Sequence, residues 1–132
     1  SVHEIPALGK PAVVAINTLK GMAISPEAAM SVLANRFGGL SGPAIRPVGV
    51  RCVYEIYDAV EIPVIGVGGI STGRDALEYI MAGASAVQVG TAVWTHGPAV
   101  FKTICEDVSR FMDEYGYSKV GDMVGVAHGT RP

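Results

Sequence analysis

The sequence predicts an α/β fold, a parallel sheet covered by helices, and three observations carry that expectation. Short apolar runs alternate with segments of helical period, each run leads into a loop with small or polar residues, and only 17% of the 132 residues are charged. Alternating strands and helices imply a parallel sheet with right-handed crossovers. A charge fraction below the roughly 25% of an average soluble domain fits strands buried on both faces. It equally fits a piece of a larger domain whose cut faces stay apolar.

The first strand is expected over Val13-Val14-Ala15-Ile16-Asn17, an unbroken apolar run that ends in polar Asn17 and Thr18. The second is Ile62-Pro63-Val64-Ile65-Gly66-Val67, with Pro63 tolerated near its start, and the third is Ala86-Val87-Gln88-Val89-Gly90. Between the first strand and its helix runs a long excursion, from Thr18 to Gly42, against about 2–6 residues for an ordinary βα loop. Long excursions at the C-terminal ends of barrel strands are where binding loops are expected, although a tolerated surface insertion looks the same in sequence.

Helices follow from period and punctuation. Val50, Val53, Tyr54, Tyr57 and Val60 recur at helical spacing, with Arg51 and Glu55 paired at i, i+4 on the other face. Thr72 and Asp75 have the spacing of a capping box, Leu77, Ile80 and Met81 form the stripe of that second helix, and Gly83 ends it. Phe101, Ile104, Cys105, Val108, Phe111, Met112 and Tyr115 form a third stripe closed by Gly116.

Composition narrows the function classes. The chain is 49% hydrophobic, with mean hydropathy +0.37 and a net charge of -2, and no Lys/Arg cluster suggests nucleic acid. Cys52 and Cys105 sit in apolar periodic segments without metal-ligand spacing and read as reduced core thiols. The sequence shows neither a signal-peptide pattern nor an apolar run near the ~20 residues that span a bilayer, so a cytoplasmic location is expected. His3, His96 and His128 fall in expected loops or ends and read as solvated.

Two loops carry chemistry. Val67-Gly68-Gly69-Ile70 leaves a strand and enters a helix through Ser71 and Thr72, and Gly90-Thr91-Ala92 follows the next strand. Glycines there admit close approach of a ligand to the main chain, and free N–H groups at helix starts favour an anion. One such loop is often just a tight turn, but two of them, one βα unit apart, point to a phosphate site. Thr95 to Phe101 is the candidate for the short extra helix that often accompanies it. Neither a P-loop nor a G-x-G-x-x-G fingerprint is present. Asn17 and Thr18 end the first strand with an amide and a hydroxyl suited to a planar amide- or carboxylate-bearing ligand. A full (β/α)8 barrel takes roughly 250 residues. On residue patterns alone the chain is therefore a fragment, a half-barrel that dimerises, or a small open sheet.

The runs Ile16-Asn17-Thr18, Gly38-Gly39-Leu40-Ser41-Gly42-Pro43-Ala44-Ile45, Ile65-Gly66-Val67-Gly68-Gly69-Ile70 and Ala82 to Ala92 resemble dihydroorotate dehydrogenases in order and spacing. The resemblance extends from about Val13 to His128 and is closest to the class whose catalytic subunit works with an iron–sulphur flavoprotein and NAD. It implies that the chain holds the C-terminal βα units of a TIM (β/α)8 barrel, as one partial-barrel domain over 1–132. It further implies that Ile16 and Gly42 contact FMN, that Gly68, Gly69, Gly90 and Thr91 hold its phosphate, and that Asn17 and Thr18 bind orotate or dihydroorotate. The family's base cysteine and flavin-contacting lysine belong to the N-terminal half of the barrel, so no residue here is assigned as catalytic and none as a metal ligand. Ser1 to Pro11, with Pro6 and Gly9, does not resemble the family's helix leading into this strand and reads as a junction. Inactivity alone, and self-association or pairing with a missing half-barrel, are expected. The competing expectations are a non-catalytic flavin- or phosphate-binding half-barrel and another phosphate-binding barrel enzyme, such as an isomerase or synthase.

Overall fold

The computed structural model describes residues 11–129. Residues 1–10, with His3 and all of the expected junction except Pro11, and residues 130–132 lie outside them. The element order is β1 (Val13–Ala15), β2 (Leu19–Gly21), β3 (Ile24–Ser25), β4 (Met30–Ser31), β5 (Gly38–Leu40), a 3-10 turn (Pro43–Ile45), α1 (Arg46–Ala59), β6 (Val64–Val67), α2 (Gly73–Ala82), β7 (Ala84–Gln88), α3 (Thr91–His96) and α4 (Val100–Tyr115), followed by two further 3-10 turns.

Strands β1, β6 and β7 form the expected parallel sheet in that order. Val64, Ala84 and Ala15 are buried between the sheet and its helices, together with Val53, Ala76 and Tyr79. The third strand starts two residues earlier than its β-branched run suggests. Gly83, at φ 131°, ends α2 and turns the chain straight into Ala84, which pairs with Val64 across a register shift. Burial of small alanines in the sheet outweighs their weak β-propensity.

Helix α2 opens as its sequence predicts. The Thr72 hydroxyl accepts the Asp75 N–H at 3.1 Å, while the Asp75 carboxylate accepts the Thr72 N–H at 3.1 Å. Gly116, in the left-handed region, closes α4, and Arg51 pairs with Glu55 at 2.8 Å.

Four expectations need correction. The excursion is not one loop: β2 pairs with β5 and β3 with β4, making two small antiparallel ladders. The short extra helix starts at Thr91, directly behind Gly90, rather than at Thr95. Phe101, Cys105 and Tyr115 are exposed, so the α4 stripe narrows to Ile104, Val108, Phe111 and Met112, and Cys105 is no core thiol. His128 is not solvated: its side chain is only 4% exposed, with Nε2 2.7 Å from the Ala82 carbonyl, Nδ1 3.1 Å from Asp58 and the ring stacked on Tyr54. It pins the C-terminal turns across α1 and α2.

Candidate functional site

The C-terminal ends of β1, β6 and β7 open into one cleft of about 210 Å³. Ile16, Asn17 and Thr18 enter it from β1, and Ser41, Gly42 and Ile45 from the end of the excursion. Val67 to Ser71 line it from β6, and Gln88, Gly90 and Thr91 from β7. Every residue singled out in sequence for cofactor or substrate is therefore on the wall of the same cleft. Two roomier grooves lie elsewhere, one between α2 and α4 and one beside β7. Neither gathers loops from the strand ends.

The glycines are there for reasons the geometry makes explicit. Gly68 and Gly69 adopt φ 129° and 72°, and a Cβ on Gly69 would stand 2.7 Å from the Gly42 carbonyl oxygen and 3.0 Å from the Arg46 nitrogen. The loop after β6 therefore rests directly on the start of α1. Gly42, at φ 88°, faces Thr91, whose methyl would touch its Cβ at 3.7 Å. Three loops thus meet without side chains between them. Gly90 differs: a Cβ there would meet no atom of the chain, so the space in front of it stays open for a ligand.

A polar network centred on buried Asp75 holds the loop from behind. Asp75 accepts N–H bonds from Ser71 at 3.0 Å and Thr72 at 3.1 Å, and its other oxygen pairs with Arg46 at 2.8 Å. Arg46 reaches Glu78 as well, at 3.2 Å. One carboxylate thereby ties α1, α2 and the loop together, which makes the cleft a preformed one. Beneath it Tyr79, with no exposed surface, donates its hydroxyl to the Gly68 carbonyl at 2.6 Å. Burial pushes this hydroxyl up to about 12, with Arg46 partly opposing the shift.

With Ser71 and Thr72 committed to Asp75, the N–H groups of Gly69, Ile70 and Thr91 make no hydrogen bond among the described residues. Those are the donors an anion would meet. At the other end of the cleft Asn17 Oδ1 accepts the Thr18 N–H at 2.7 Å, which leaves the amide NH2 as donor for a ligand oxygen. Sequence reading missed Arg46, Asp75 as a loop clamp, and Tyr79. The Asp75/Glu78 spacing and the small residues Gly49 and Gly66, which make room for the tyrosine ring, were the available signals.

Over residues 4–112 the chain matches the family described as dihydroorotate dehydrogenase. The dihydroorotate dehydrogenase B (NAD(+)) catalytic subunit of Methanothermobacter thermautotrophicus is 52% identical over 121 residues, covering 91% of this chain and 40% of the relative. Its counterpart from Thermoplasma acidophilum is 57% identical over 116 residues, 88% of this chain and 39% of the relative. A crystal structure of DHODH from Eimeria tenella in complex with ferulenol aligns with a TM-score of 0.75 at 31% identity, covering 90% of this chain and 31% of that one. The chain spans about two-fifths of the length of these curated relatives. Its three βα units are part of a (β/α)8 barrel, which fits the single neighbour that β1 and β7 each have in the sheet among the described residues.

Proposed function

The chain belongs to the dihydroorotate dehydrogenase family, and from that premise we propose that it forms the FMN-phosphate- and orotate-binding C-terminal units of an enzyme oxidising dihydroorotate to orotate in UMP synthesis. The observation that carries the reading is the convergence of Ile16, Asn17, Thr18, Gly42, Gly68, Gly69, Gly90 and Thr91 on one cleft. Its volume of about 210 Å³ is below the ~300–1,000 Å³ of whole small-molecule sites, so it matches one end of a cofactor, the phosphate end, better than an entire flavin.

The donor set fits that end. The N–H groups of Gly69, Ile70 and Thr91 are free for phosphate oxygens, and the open space at Gly90 lets them be approached. FMN, held there by these residues, would supply the redox chemistry as the hydride acceptor. The chain's own part is to bind and orient. Ile16 offers an apolar contact beside the flavin, Gly42 lets that contact approach the main chain, and Asn17 with Thr18 fixes the substrate ring against it. Neither Cys52 on α1 nor Cys105, which lines the groove between α4 and β7, lines the cleft, so neither serves as base. A base and further flavin contacts would come from the rest of the barrel. The proposal includes an iron–sulphur flavoprotein partner, supported by the relatives' description as catalytic subunits of NAD(+) enzymes. It also includes a single partial-barrel domain over 1–132 and a cytoplasmic location; among the described residues no helix is long and apolar enough to cross a membrane.

The test is titration of the chain with FMN, followed by flavin fluorescence, beside riboflavin, which lacks the phosphate. Saturable binding of FMN without binding of riboflavin is expected. Equal binding of both, or of neither, overturns the phosphate assignment. Turnover of dihydroorotate by the chain alone with an artificial acceptor would contradict the division of labour between this part and the rest of the barrel.

A further inference from the structure

The peptide joining Gly68 to Gly69 lies in the wall of the cleft between two glycines at positive φ. With no Cβ on either side, that peptide plane can turn over at low steric cost. In a trans peptide the C=O and N–H point in opposite directions, so whichever group is held inside the protein, the other is presented outward. One orientation offers a ligand an N–H. The other offers a carbonyl oxygen, which repels an anion.

We propose that Tyr79 is a positioning residue whose hydroxyl holds the Gly68 carbonyl inward and so commits the Gly69 N–H to the cofactor's phosphate. This rests on the FMN reading of the cleft. Tyr79 is fully buried and does not line the cleft, and its hydroxyl lies 2.6 Å from the Gly68 carbonyl oxygen and 3.4 Å from that of Val67. The ring occupies the space left by Gly49 and Gly66, where a Cβ would collide with it. The ring therefore cannot shift without repacking α1 and β6. A tyrosine hydroxyl keeps its proton throughout the neutral range, and burial, which pushes this one up to about 12, extends its role as donor into alkaline solution. A hydrogen bond to a peptide carbonyl also polarises the N–H of the same unit, which strengthens it as a donor.

Tyr79→Phe removes the hydroxyl and keeps the ring, so it separates positioning from packing. Loss of one positioning hydrogen bond is expected to weaken FMN binding by roughly 3- to 10-fold, with a 15N spectrum in which FMN shifts the Gly69 amide less than in the wild type. An unchanged FMN affinity in Tyr79→Phe overturns the proposal, whatever happens to the melting temperature. The wild type gives a second, independent measurement. There FMN must shift the Gly69 amide more than those of Ser71 and Thr72, which Asp75 already occupies, and equal shifts overturn the proposal even if the variant does not fold. If the wild type binds no FMN at all, the FMN reading has failed, and with it the phosphate half of this proposal. The positioning half is then decided in the free chain: removing the hydroxyl must move the Gly69 amide resonance, and an unmoved resonance sinks it.

Discussion

Alanine at Gly69 and alanine at Gly90 are expected to fail in opposite ways. At Gly69 the new Cβ would stand 2.7 Å from the Gly42 carbonyl oxygen and 3.0 Å from the Arg46 nitrogen, both main-chain atoms that cannot rotate away. The residue is also held at φ 72°, where an L side chain costs about 1–2 kcal/mol. Adding about 1–3 kcal/mol for the overpacked contact gives a destabilisation of about 2–5 kcal/mol. At about 4 °C per kcal/mol for a chain of this size, the melting temperature should fall by roughly 8–20 °C. At Gly90 the Cβ meets no atom of the chain, so stability should stay within about 0.5 kcal/mol of wild type. Its methyl would instead stand where the phosphate is proposed to sit, and FMN affinity should drop at least about tenfold, ~1.4 kcal/mol. The assays are thermal denaturation and FMN fluorescence titration on the two variants side by side. Wild-type FMN affinity in Gly90→Ala would refute the placement of the phosphate. A wild-type melting temperature in Gly69→Ala would refute the close approach of the three loops.

Thr72→Ala removes the hydroxyl that accepts the Asp75 N–H and should cost about 1 kcal/mol in chemical denaturation, the usual worth of an N-cap. Asn17→Ala, made in the complete enzyme, should raise the KM for dihydroorotate more than it lowers kcat, and unchanged steady-state kinetics would remove Asn17 from the substrate site. The tyrosine under the loop also predicts a pH dependence. Its hydroxyl is raised from 10.0 to about 12 in the folded chain, so the folded state binds the proton more tightly than the unfolded one. The resulting stability is complete below the unfolded value and disappears as pH climbs through the folded one. Denaturant titrations of wild type and Tyr79→Phe between pH 8 and about 12 should therefore converge as pH rises above about 10. Parallel curves would show that the hydroxyl is not buried as described.

What could be read from residues alone was whatever depends on near neighbours in the chain. The three apolar runs became β1, β6 and β7, because a short β-branched run between turn signals has few other ways to be buried. Thr72 and Asp75 formed their reciprocal cap, since that interaction spans a single helical turn. The two glycine loops were legible for the same reason, and so were the candidates that line the cleft. Folding of the excursion was not, because β2 and β5 are joined across a stretch whose pairing depends on Thr18 packing against Gly39. Nor was the exposure of Phe101 and Cys105, which line an open groove beside β7 with Ile104, because the helical period gives their side of α4 but not whether anything covers it. His128 is buried only because α1 supplies Tyr54 and Asp58 while α2 supplies the Ala82 carbonyl. Tyr79 shows the limit most clearly. The sequence determined that a glycine pair would follow β6, but which way their shared peptide faces depends on a hydroxyl eleven residues further along the chain, brought beneath it only when α2 packs on the sheet.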